Sequence, residues 1–255
     1  MSDAALDAVR QGLGSRAERW PDVRWVDETG STNADLAVLA RAGHRAPVVL
    51  VADHQTSGRG RLDRRWESPP GANLLVSILL DADGAPASWG LRPAAVAVAA
   101  AAACRTAGVE VDIKWPNDLH HGGAKLAGLL AEAVTATRTL VVGIGINVGW
   151  PDPPAAELGA TSLRALGSSV DRPTLLAELL LQLDRWWSAD PASLATAYRE
   201  RCTTVGRAVR VELVGGGELR GRAIGIDDAG ALLVQVGASV EVVTVGDVFH
   251  LRAEP

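Results

Sequence analysis

Residues 58–66 read Gly-Arg-Gly-Arg-Leu-Asp-Arg-Arg-Trp and combine four arginines with two glycines. Arginine presents planar donors that match carboxylate and phosphate oxygens in pairs, and glycine lets main-chain amides approach an anion closely. In a chain of net charge −5, this segment predicts a loop that binds an anionic ligand. A solvated basic turn and a nucleic-acid patch are the alternatives.

A second cationic segment favours the anion-binding interpretation. Lys114-Trp115-Pro116-Asn117-Asp118 follows a short apolar run, and Lys125-Leu126-Ala127-Gly128 comes soon after it. A lysine held beside reacting phosphate oxygens stabilises charge that develops in the transition state. Neither segment resembles a nucleic-acid module, because aromatic residues are scarce and no basic stripe continues along the chain.

The composition indicates an ordinary soluble globular protein. The 255 residues, 47% of them hydrophobic and 22% charged, allow one large domain and one small domain. A pI near 5.6 argues against a general nucleic-acid binder and a polybasic membrane anchor. Residues 1–20 contain no apolar signal segment, and the apolar run Ala94–Cys104 is too short to span a bilayer. Cys104 and Cys202 fit no zinc-site spacing and favour a reducing cytosol.

The elements that must position these segments are predicted from periodicity and turn residues. Helices are predicted over residues 4–19, 34–42, 89–107, 174–187 and 192–201. Strands are predicted over residues 23–27, 48–52, 73–80, 111–114, 126–134 and 139–148. Four further strands, which predict a small all-β barrel, cover residues 207–213, 218–226, 232–236 and 239–243. The architecture is therefore predicted to be α+β followed by a β module.

Adjacent histidines lie between two of these strands. His120-His121-Gly122-Gly123 has the composition of a hairpin turn. Successive side chains in extended structure point apart, so the two histidines are expected at an exposed hairpin tip and not at a metal site. No metal-ligating residue is predicted elsewhere in the chain.

The motifs, in their order and spacing, resemble those of biotin–protein ligases, which attach biotin to a lysine of a carboxylase carrier domain. The resemblance covers roughly residues 23–150 and rests on the two segments above and on three more motifs. These are Ser31-Thr32-Asn33, Gln55 before the glycine-arginine loop, and Gly143-Ile144-Gly145-Ile146-Asn147-Val148. It implies a class II synthetase-like core, a mixed β-sheet flanked by helices, over residues 1–203. It also implies an SH3-like β-barrel over residues 204–255.

The resemblance further implies a two-step acyl transfer. The biotin carboxylate attacks the α-phosphate of ATP, which is bound with Mg²⁺, and gives biotinyl-adenylate; a lysine of the carrier domain then displaces AMP. Some relatives carry a helix-turn-helix domain, but only residues 1–22 precede the first predicted strand, so no operator binding is expected. A lipoate– or octanoate–protein ligase is the rival enzyme, and a non-catalytic biotin- or nucleotide-binding module is the rival of another class.

Residue roles carry over from the resemblance by position. Lys125, Arg61 and Asp118 are assigned to catalysis, with Asp118 orienting or deprotonating the incoming amine. The biotin site is assigned to Ser31, Thr32, Asn33, Gln55, Arg59, Gly60, Arg61, Lys125, Gly143 and Gly145. The nucleotide site is assigned to Arg61, Trp66, Lys114, Asn117, Lys125 and Asn147.

Several of these residues have a second interpretation. Thr32 and Asp35 fit a helix capping box, so capping competes with ligand binding there. Trp66 packs either on adenine or in the core. Asp63 stands where the family usually has glycine, which affects how the loop retains the adenylate. Residues 56–66 are expected to be mobile without ligand and ordered by it, because the loop must exclude water from a hydrolysable anhydride.

Overall fold

Two β-sheets organise the part of the chain that the structure describes. The computed structural model describes residues 2–44, 47–62, 64–82, 89–150 and 159–251. Within these residues, seven strands form a mixed sheet: β1 (Asp22–Thr29), β2 (Val48–Gln55), β3 (Asn73–Asp81), β4 (Asp112–Lys114), β5 (Asp118–His121), β6 (Ala124–Val134) and β7 (Thr139–Asn147). Their order is β1-β2-β3-β7-β6-β5-β4, with β1 and β2 parallel and the other pairs antiparallel. The predicted mixed sheet is confirmed.

Five α-helices accompany the sheet within the described ranges. They are α1 (Ser2–Leu13), α2 (Thr32–Arg41), α3 (Arg92–Thr106), α4 (Arg172–Trp187) and α5 (Pro191–Arg201). A 3-10 helix, Gly14–Arg19, continues the chain beyond α1. No helix of the described residues is both long enough and apolar enough to cross a membrane.

Helices cover both faces of the large sheet. Helix α2 packs on one face, where its core contacts include Val48 and Leu50 of β2. Val49 and Val51 point to the opposite face and join the main core with α1, α3, α4 and α5. Because successive strand residues face opposite sides, a strand covered on both faces must be apolar throughout, and β2 is so in its first half.

Helix α3 is shorter than predicted and almost wholly buried. It begins at Arg92 with Pro93 in its first turn, and Ala94–Cys104 are all buried. Proline suits the first turn because its missing N–H has no partner there in any case. Small alanine side chains let α3 lie close to α4. The predicted start at residue 89 was three residues early.

A second, antiparallel sheet follows the helices. Its strands are β8 (Ala208–Leu213), β9 (Glu218–Ile226), β10 (Leu232–Val236), β11 (Ser239–Val243) and β12 (Gly246–His250), in the order β11-β10-β9-β8-β12. This agrees with a small SH3-like β domain, but β11 and β12 lie at opposite edges and do not pair within the described range. The closed barrel that we predicted is therefore seen as a five-stranded sheet, and β12 was missed.

The second sheet is tied to the first through residues that follow α5. Thr204 is fully buried, and its Oγ1 accepts a hydrogen bond of 3.0 Å from the backbone N–H of Trp115. Cys202 forms a parallel bridge with Ile113 of β4. The turn that carries Lys114 and Asp118 is thus held by the start of the C-terminal module.

Candidate active site

A cavity of about 180 Å³ lies on the face of the large sheet that carries α2. Its walls come from the start of α2, the end of β2, the loop 58–66 and the turn 114–118, and from strands β3, β6, β7 and β12. Motifs that are far apart in the sequence therefore meet around one space. On β3 and β7, the strand faces that pack under α2 with Leu79 and Val141 continue into the cavity as Ser77 and Gly143.

The structure brings fourteen of the fifteen predicted site residues to this cavity. They are Ser31, Thr32, Asn33, Gln55, Arg59, Gly60, Arg61, Trp66, Lys114, Asn117, Asp118, Lys125, Gly143 and Gly145. Asn147 is the exception. Its Oδ1 accepts a hydrogen bond of 2.9 Å from Asn73, and its Nδ2 donates to the Thr161 carbonyl at 2.9 Å. Asn147 is buried beneath the backbone of the site and does not line the cavity.

Residues 58–62 and 64–66 form the two sides of a small hairpin over the cavity. The Trp66 N–H donates to the Gly58 carbonyl at 3.0 Å, and the Gly60 N–H donates to the Arg64 carbonyl at 2.7 Å. A Cβ at position 58 would stand 2.3 Å from the Trp66 carbonyl oxygen, so this crossing requires glycine. Leu62 has a φ of +52° at the tip. Asp63, whose effect on the loop we had raised, lies outside the described residues.

Glycines in the sheet make room for Trp66. A Cβ at Gly145 would lie 2.7 to 2.9 Å from three atoms of the indole, and one at Gly128 would lie 3.0 Å from it. The indole is therefore seated against the backbone of β6 and β7. Gly143 has a different neighbour, since its Cβ would stand 2.1 Å from Asn33 Oδ1. Each of the two glycines of β7 therefore accommodates a protein side chain, Asn33 at Gly143 and Trp66 at Gly145.

A chain of hydrogen bonds crosses the polar end of the cavity. Gln55 Oε1 accepts from the Thr32 N–H at 2.9 Å, and the Thr32 and Ser77 hydroxyls share a hydrogen bond of 2.7 Å. Ser77 Oγ donates to Asn33 Oδ1 at 2.6 Å, and Asn33 Nδ2 donates to Glu132 Oε2 at 3.0 Å. These buried groups are fixed before any ligand arrives, which is what recognition of a neutral hydrogen-bonding head group requires.

The predicted capping box at the start of α2 was wrong. Ser31, not Thr32, is the N-cap residue, and it makes no side-chain hydrogen bond to the helix. Asp35 Oδ2 instead accepts a hydrogen bond of 2.5 Å from the Thr29 hydroxyl. Ser31, Thr32 and Asn33 are all buried polar residues that line the cavity. Ser31 thus makes no side-chain cap, and all three residues form part of the cavity wall.

Among the residues that the structure describes, six cations and two carboxylates line the cavity, so positive charge predominates. The cations are Arg59, Arg61, Arg64, Arg65, Lys114 and Lys125, and the carboxylates are Asp118 and Asp247. Lys114 and Lys125 are the only two lysines of the 255 residues. That scarcity was a signal in the sequence that we did not use. A cluster of this sign attracts phosphate and carboxylate groups.

Lys125 and Asp118 form the central ion pair of the cluster. Lys125 Nζ lies 2.8 Å from Asp118 Oδ1 and 5.6 Å from the centre of the Trp66 ring. Burial opposes ionisation of Asp118, but His120 and Lys125 together outweigh it, and the pKa of Asp118 lies below its ordinary value of 3.8. Burial also lowers the pKa of Lys114, against the attraction of Asp118 and Asp247.

The C-terminal sheet contributes a wall that sequence reasoning missed. Asp247, Val248 and Phe249 of β12 line the cavity, and Asp247 forms an ion pair with Arg64 of the loop. Arg61 Nη1 donates to the Gly246 carbonyl and to Asn117 Oδ1, each at 3.3 Å. Burial lowers the pKa of Arg61. No local signal in the sequence marked this strand, because the five residues Gly246–His250 show no clear alternation of apolar and polar side chains.

The two histidines lie on β5 and not in the turn, which is made by Gly122 and Gly123, both at positive φ. The His120 side chain is only 14% exposed, so the prediction of an exposed tip was wrong for it. Among the described residues, no group of three or more His, Cys, Asp or Glu side chains is arranged to hold a metal ion.

This arrangement is suited to activating a carboxylate with a nucleoside triphosphate. Arg59, Arg61 and Lys125 converge on one space from two segments of the chain. Cations fixed around developing phosphate and carboxylate charge stabilise the transition state without reorganisation. A polar end and a glycine-lined sheet surface complete the site.

Comparison with known proteins gives consistent results along most of the chain. Residues 29–149 match the Biotin/lipoate A/B protein ligase family, and residues 204–251 match the Biotin protein ligase C terminal domain. The Biotin--[acetyl-CoA-carboxylase] ligase of Mycobacterium tuberculosis is 40% identical over 258 residues, with 96% of this chain and 95% of the relative covered. The Bifunctional ligase/repressor BirA of Escherichia coli is 31% identical, with 88% of this chain and 72% of the relative covered.

Solved structures agree with these relatives. The biotin protein ligase from Aquifex aeolicus in complex with biotin and ATP has a TM-score of 0.76 and 26% sequence identity. The match covers 91% of this chain and 99% of that one.

Proposed function

The chain belongs to the biotin protein ligase family, and from that premise we propose how its cavity works. The enzyme activates biotin with ATP to biotinyl-5′-AMP and then transfers biotin to a lysine of an acceptor protein. ATP enters as its magnesium complex, which is a co-substrate. The observation that carries this proposal is the convergence of Arg59, Arg61 and Lys125 on the cavity whose polar end is built from Ser31, Thr32 and Asn33.

In the first step, the biotin carboxylate attacks the α-phosphorus of ATP and pyrophosphate leaves. Negative charge grows on the phosphoryl oxygens while two anions are brought together. Lys125 leaves its ion pair with Asp118 to contact the oxygens between the acyl and phosphoryl groups. Arg59 and Arg61 hold the carboxylate and the α-phosphate. Such contacts are stronger in the transition state than in the ground state, which is the condition for catalysis.

Binding of the biotin ring is assigned to the hydrogen-bonded polar end. The ureido group is neutral and offers both donors and acceptors. Thr32, Asn33 and Gln55 present groups of both kinds and are held rigid by Ser77 and the strands behind them. The apolar chain of biotin then runs past Leu75 towards Lys125.

The nucleotide is assigned to the other end of the cavity. Trp66, Lys114 and Asn117 line it there, together with Asp247 and Phe249 of the C-terminal sheet. This placement gives residues 204–255 a role as a separate C-terminal domain that closes the nucleotide end, and residues 1–203 the role of the catalytic domain. Asn147 has no direct part, because it lies outside the cavity.

In the second step, the ε-amine of the acceptor lysine attacks the acyl carbon and AMP leaves. We assign the acceptor as the biotin carboxyl carrier domain of an acyl-CoA carboxylase, as the name of the M. tuberculosis relative indicates for that enzyme. Asp118 orients the amine once Lys125 has moved to the phosphate. The reaction is placed in the cytosol, in keeping with two free, buried cysteines. We expect no specific binding of duplex DNA and no membrane attachment.

Lipoate– or octanoate–protein ligation remains the alternative because one family description spans both chemistries. Two observations favour biotin. The relatives named above are biotin ligases, and the polar end of the cavity matches a ureido ring, whereas an octanoyl chain has no polar head to occupy it. A buried polar site rejects a ligand that leaves its groups unpaired.

The test is incubation of the protein with magnesium-ATP, a purified carrier domain, and either biotin or lipoate. Intact mass of the carrier is the measurement. We expect one biotin added per carrier domain and no change with lipoate or octanoate. Equal or preferential modification by lipoate would overturn the assignment, and binding of biotin without pyrophosphate release would identify a non-catalytic module.

A further inference from the structure

His120 stands directly behind the Asp118 carboxylate, outside the cavity lining. Its Nε2 lies 3.8 Å from Asp118 Oδ2, while Asp118 Oδ1 faces Lys125. An irregularity in the pairing of β5 with β6 sets Lys125 opposite His120. Asp118 therefore has a cation on one oxygen and an imidazole beside the other.

The hydrogen bonds around His120 define which nitrogen carries its proton. Nδ1 lies 3.0 Å from the Gly123 carbonyl oxygen. A carbonyl oxygen can only accept, so Nδ1 must donate. In the neutral ring Nε2 then holds a free electron pair, and this atom is buried with no hydrogen-bond partner among the described residues. Buried polar atoms are nearly always paired, and exceptions often mark functional groups.

We propose that His120 acts as a positioning residue in the transfer step. The acceptor lysine must lose a proton, and this proton passes through Asp118 to His120. The proposal deepens the proposed function and rests on it. A lysine ammonium is no nucleophile until it is deprotonated. A carboxylate with a lowered pKa is a weak base, whereas neutral imidazole is a considerably stronger one.

The protons balance as follows. The acceptor ammonium approaches Asp118 Oδ1 after Lys125 has turned to the adenylate, and its first proton passes by way of the carboxylate to His120 Nε2. The neutral amine nitrogen then forms a bond to the acyl carbon, and the bond from that carbon to the phosphate oxygen breaks with its electron pair on AMP. The second amine proton leaves with the AMP phosphate. His120 releases its proton to water before the next turnover.

Several charged groups surround the His120 ring. Lys125 lies opposite it on β6, and Asp112 lies opposite it on β4. His250 of β12 also interacts with it electrostatically. With Asp118 alongside, both carboxylates and cations face the ring.

The experiment separates the two half-reactions. Single-turnover transfer from preformed biotinyl-adenylate to carrier domain is followed from about pH 5.5 to about pH 9, the range that brackets imidazole titration. His120→Asn keeps an amide donor for the Gly123 carbonyl and removes Nε2. His120→Gln places an uncharged amide near the position that Nε2 occupies in the wild type. We expect both to slow transfer by about tenfold or more and to lose one titration from the pH profile. Adenylate formation, measured by pyrophosphate exchange, is expected to change less than about threefold.

A matched control and a double variant sharpen the outcome. His121→Asn alters the neighbouring histidine, whose Nδ1 contacts the Glu110 carbonyl, and is expected to change neither half-reaction. His120→Asn is expected to have no further effect on transfer in an Asp118→Asn background, since His120 acts through Asp118. Wild-type transfer rates and pH profiles in both His120 variants would overturn the proposal. An equal loss from His120→Asn in the presence and absence of Asp118 would also overturn it. Failure of the wild-type protein to form adenylate would instead refute the proposed function.

Discussion

Lys125 Nζ and Asp118 Oδ1 lie 2.8 Å apart, although the two residues belong to different sequence motifs. The contact neutralises both charges inside a partly buried cavity, where an unpaired ion is costly. In the mechanism that we propose, Lys125 exchanges this carboxylate for the reacting oxygens when substrate binds, so that the ion pair is the first contact to break.

Replacement of Lys125 tests its role in adenylation. Lys125→Ala is expected to lower the rate of biotinyl-adenylate formation on the order of 10²–10³-fold, comparable to loss of one preorganised oxyanion donor. Biotin-dependent pyrophosphate exchange is the measurement. Arg220→Ala removes a cation from an exposed ion pair with Glu218 and serves as the charge control. Near-normal exchange by Lys125→Ala would contradict the assignment.

The position of the Trp66 indole against β7 is tested by adding one methyl group to that strand. In Gly145→Ala the new Cβ would meet the indole at 2.7 Å, so Trp66 and the hairpin attached to it must move. We expect the KM for ATP to rise about tenfold, because misplacement of a positioning group by about 1 Å is costly. Gly225→Ala is the matched control, since its Cβ would meet only Leu233 at an ordinary 3.8 Å. An unchanged KM in Gly145→Ala would show that the indole does not position the nucleotide.

The position of the Asn33 side chain is tested by a similar substitution in β7. A Cβ at Gly143 would stand 2.1 Å from Asn33 Oδ1 and 3.1 Å from Ser77 Oγ. Gly143→Ala is expected to disrupt the hydrogen bonds at the polar end of the cavity. The KM for biotin is therefore expected to rise more than the KM for ATP. Steady-state kinetics with each substrate varied in turn provide the comparison. Equal effects on both constants would argue for a general loss of structure.

Ordering of the loop is tested by hydrogen exchange. In the described parts of this segment, residues 56–62 and 64–66, the hairpin over the cavity is held by backbone hydrogen bonds such as that from the Trp66 N–H to the Gly58 carbonyl. We expect amide exchange in this segment to slow when biotin and ATP are bound, since the arginines then have anionic partners. Strand β3, fully hydrogen-bonded between β2 and β7, serves as the internal reference. Equal exchange in the loop with and without ligands would exclude ligand-induced ordering.

His250 links pH to stability. Burial, with Lys114, Arg207 and His120 nearby, lowers the pKa of His250 from 6.5 to about 4. Its Nε2 and the Thr204 hydroxyl share a hydrogen bond of 3.1 Å, and the Thr204 hydroxyl oxygen accepts from the Trp115 N–H. Between pH 6.5 and about pH 4 the unfolded chain binds the proton and the folded chain does not. Stability from this group is therefore complete above pH 6.5 and falls as pH decreases.

A variant isolates the contribution of His250. His250→Gln removes the titration while keeping a polar group near Thr204. We expect its melting temperature to depend less on pH than that of the wild type over the acidic range, as followed by thermal unfolding at several pH values. Parallel melting curves for the two proteins would show that another group is responsible.

Much of the architecture follows from local signals in the sequence. Apolar runs and turn residues predicted most strands of the large sheet to within a few residues, as β3 and β7 illustrate. The fourteen cavity residues were identified because their motifs are contiguous and lie next to predicted strand ends. Local patterning did not predict β12, because its short run of mixed polarity resembles a loop until the neighbouring strand β8 is known.

The sequence alone determined which side chains we assign to the site: two cationic segments, a polar triplet and a glycine-rich strand, each contained within about ten residues of chain. Tertiary structure alone decided how they combine. Asn33 forms a hydrogen bond with Glu132, which is 99 residues away in the chain. Asp247 of the other sheet forms an ion pair with Arg64, and Asn147 lies outside the cavity. These contacts depend on strand order and register, and a strand shifted by one residue presents every side chain to the opposite face.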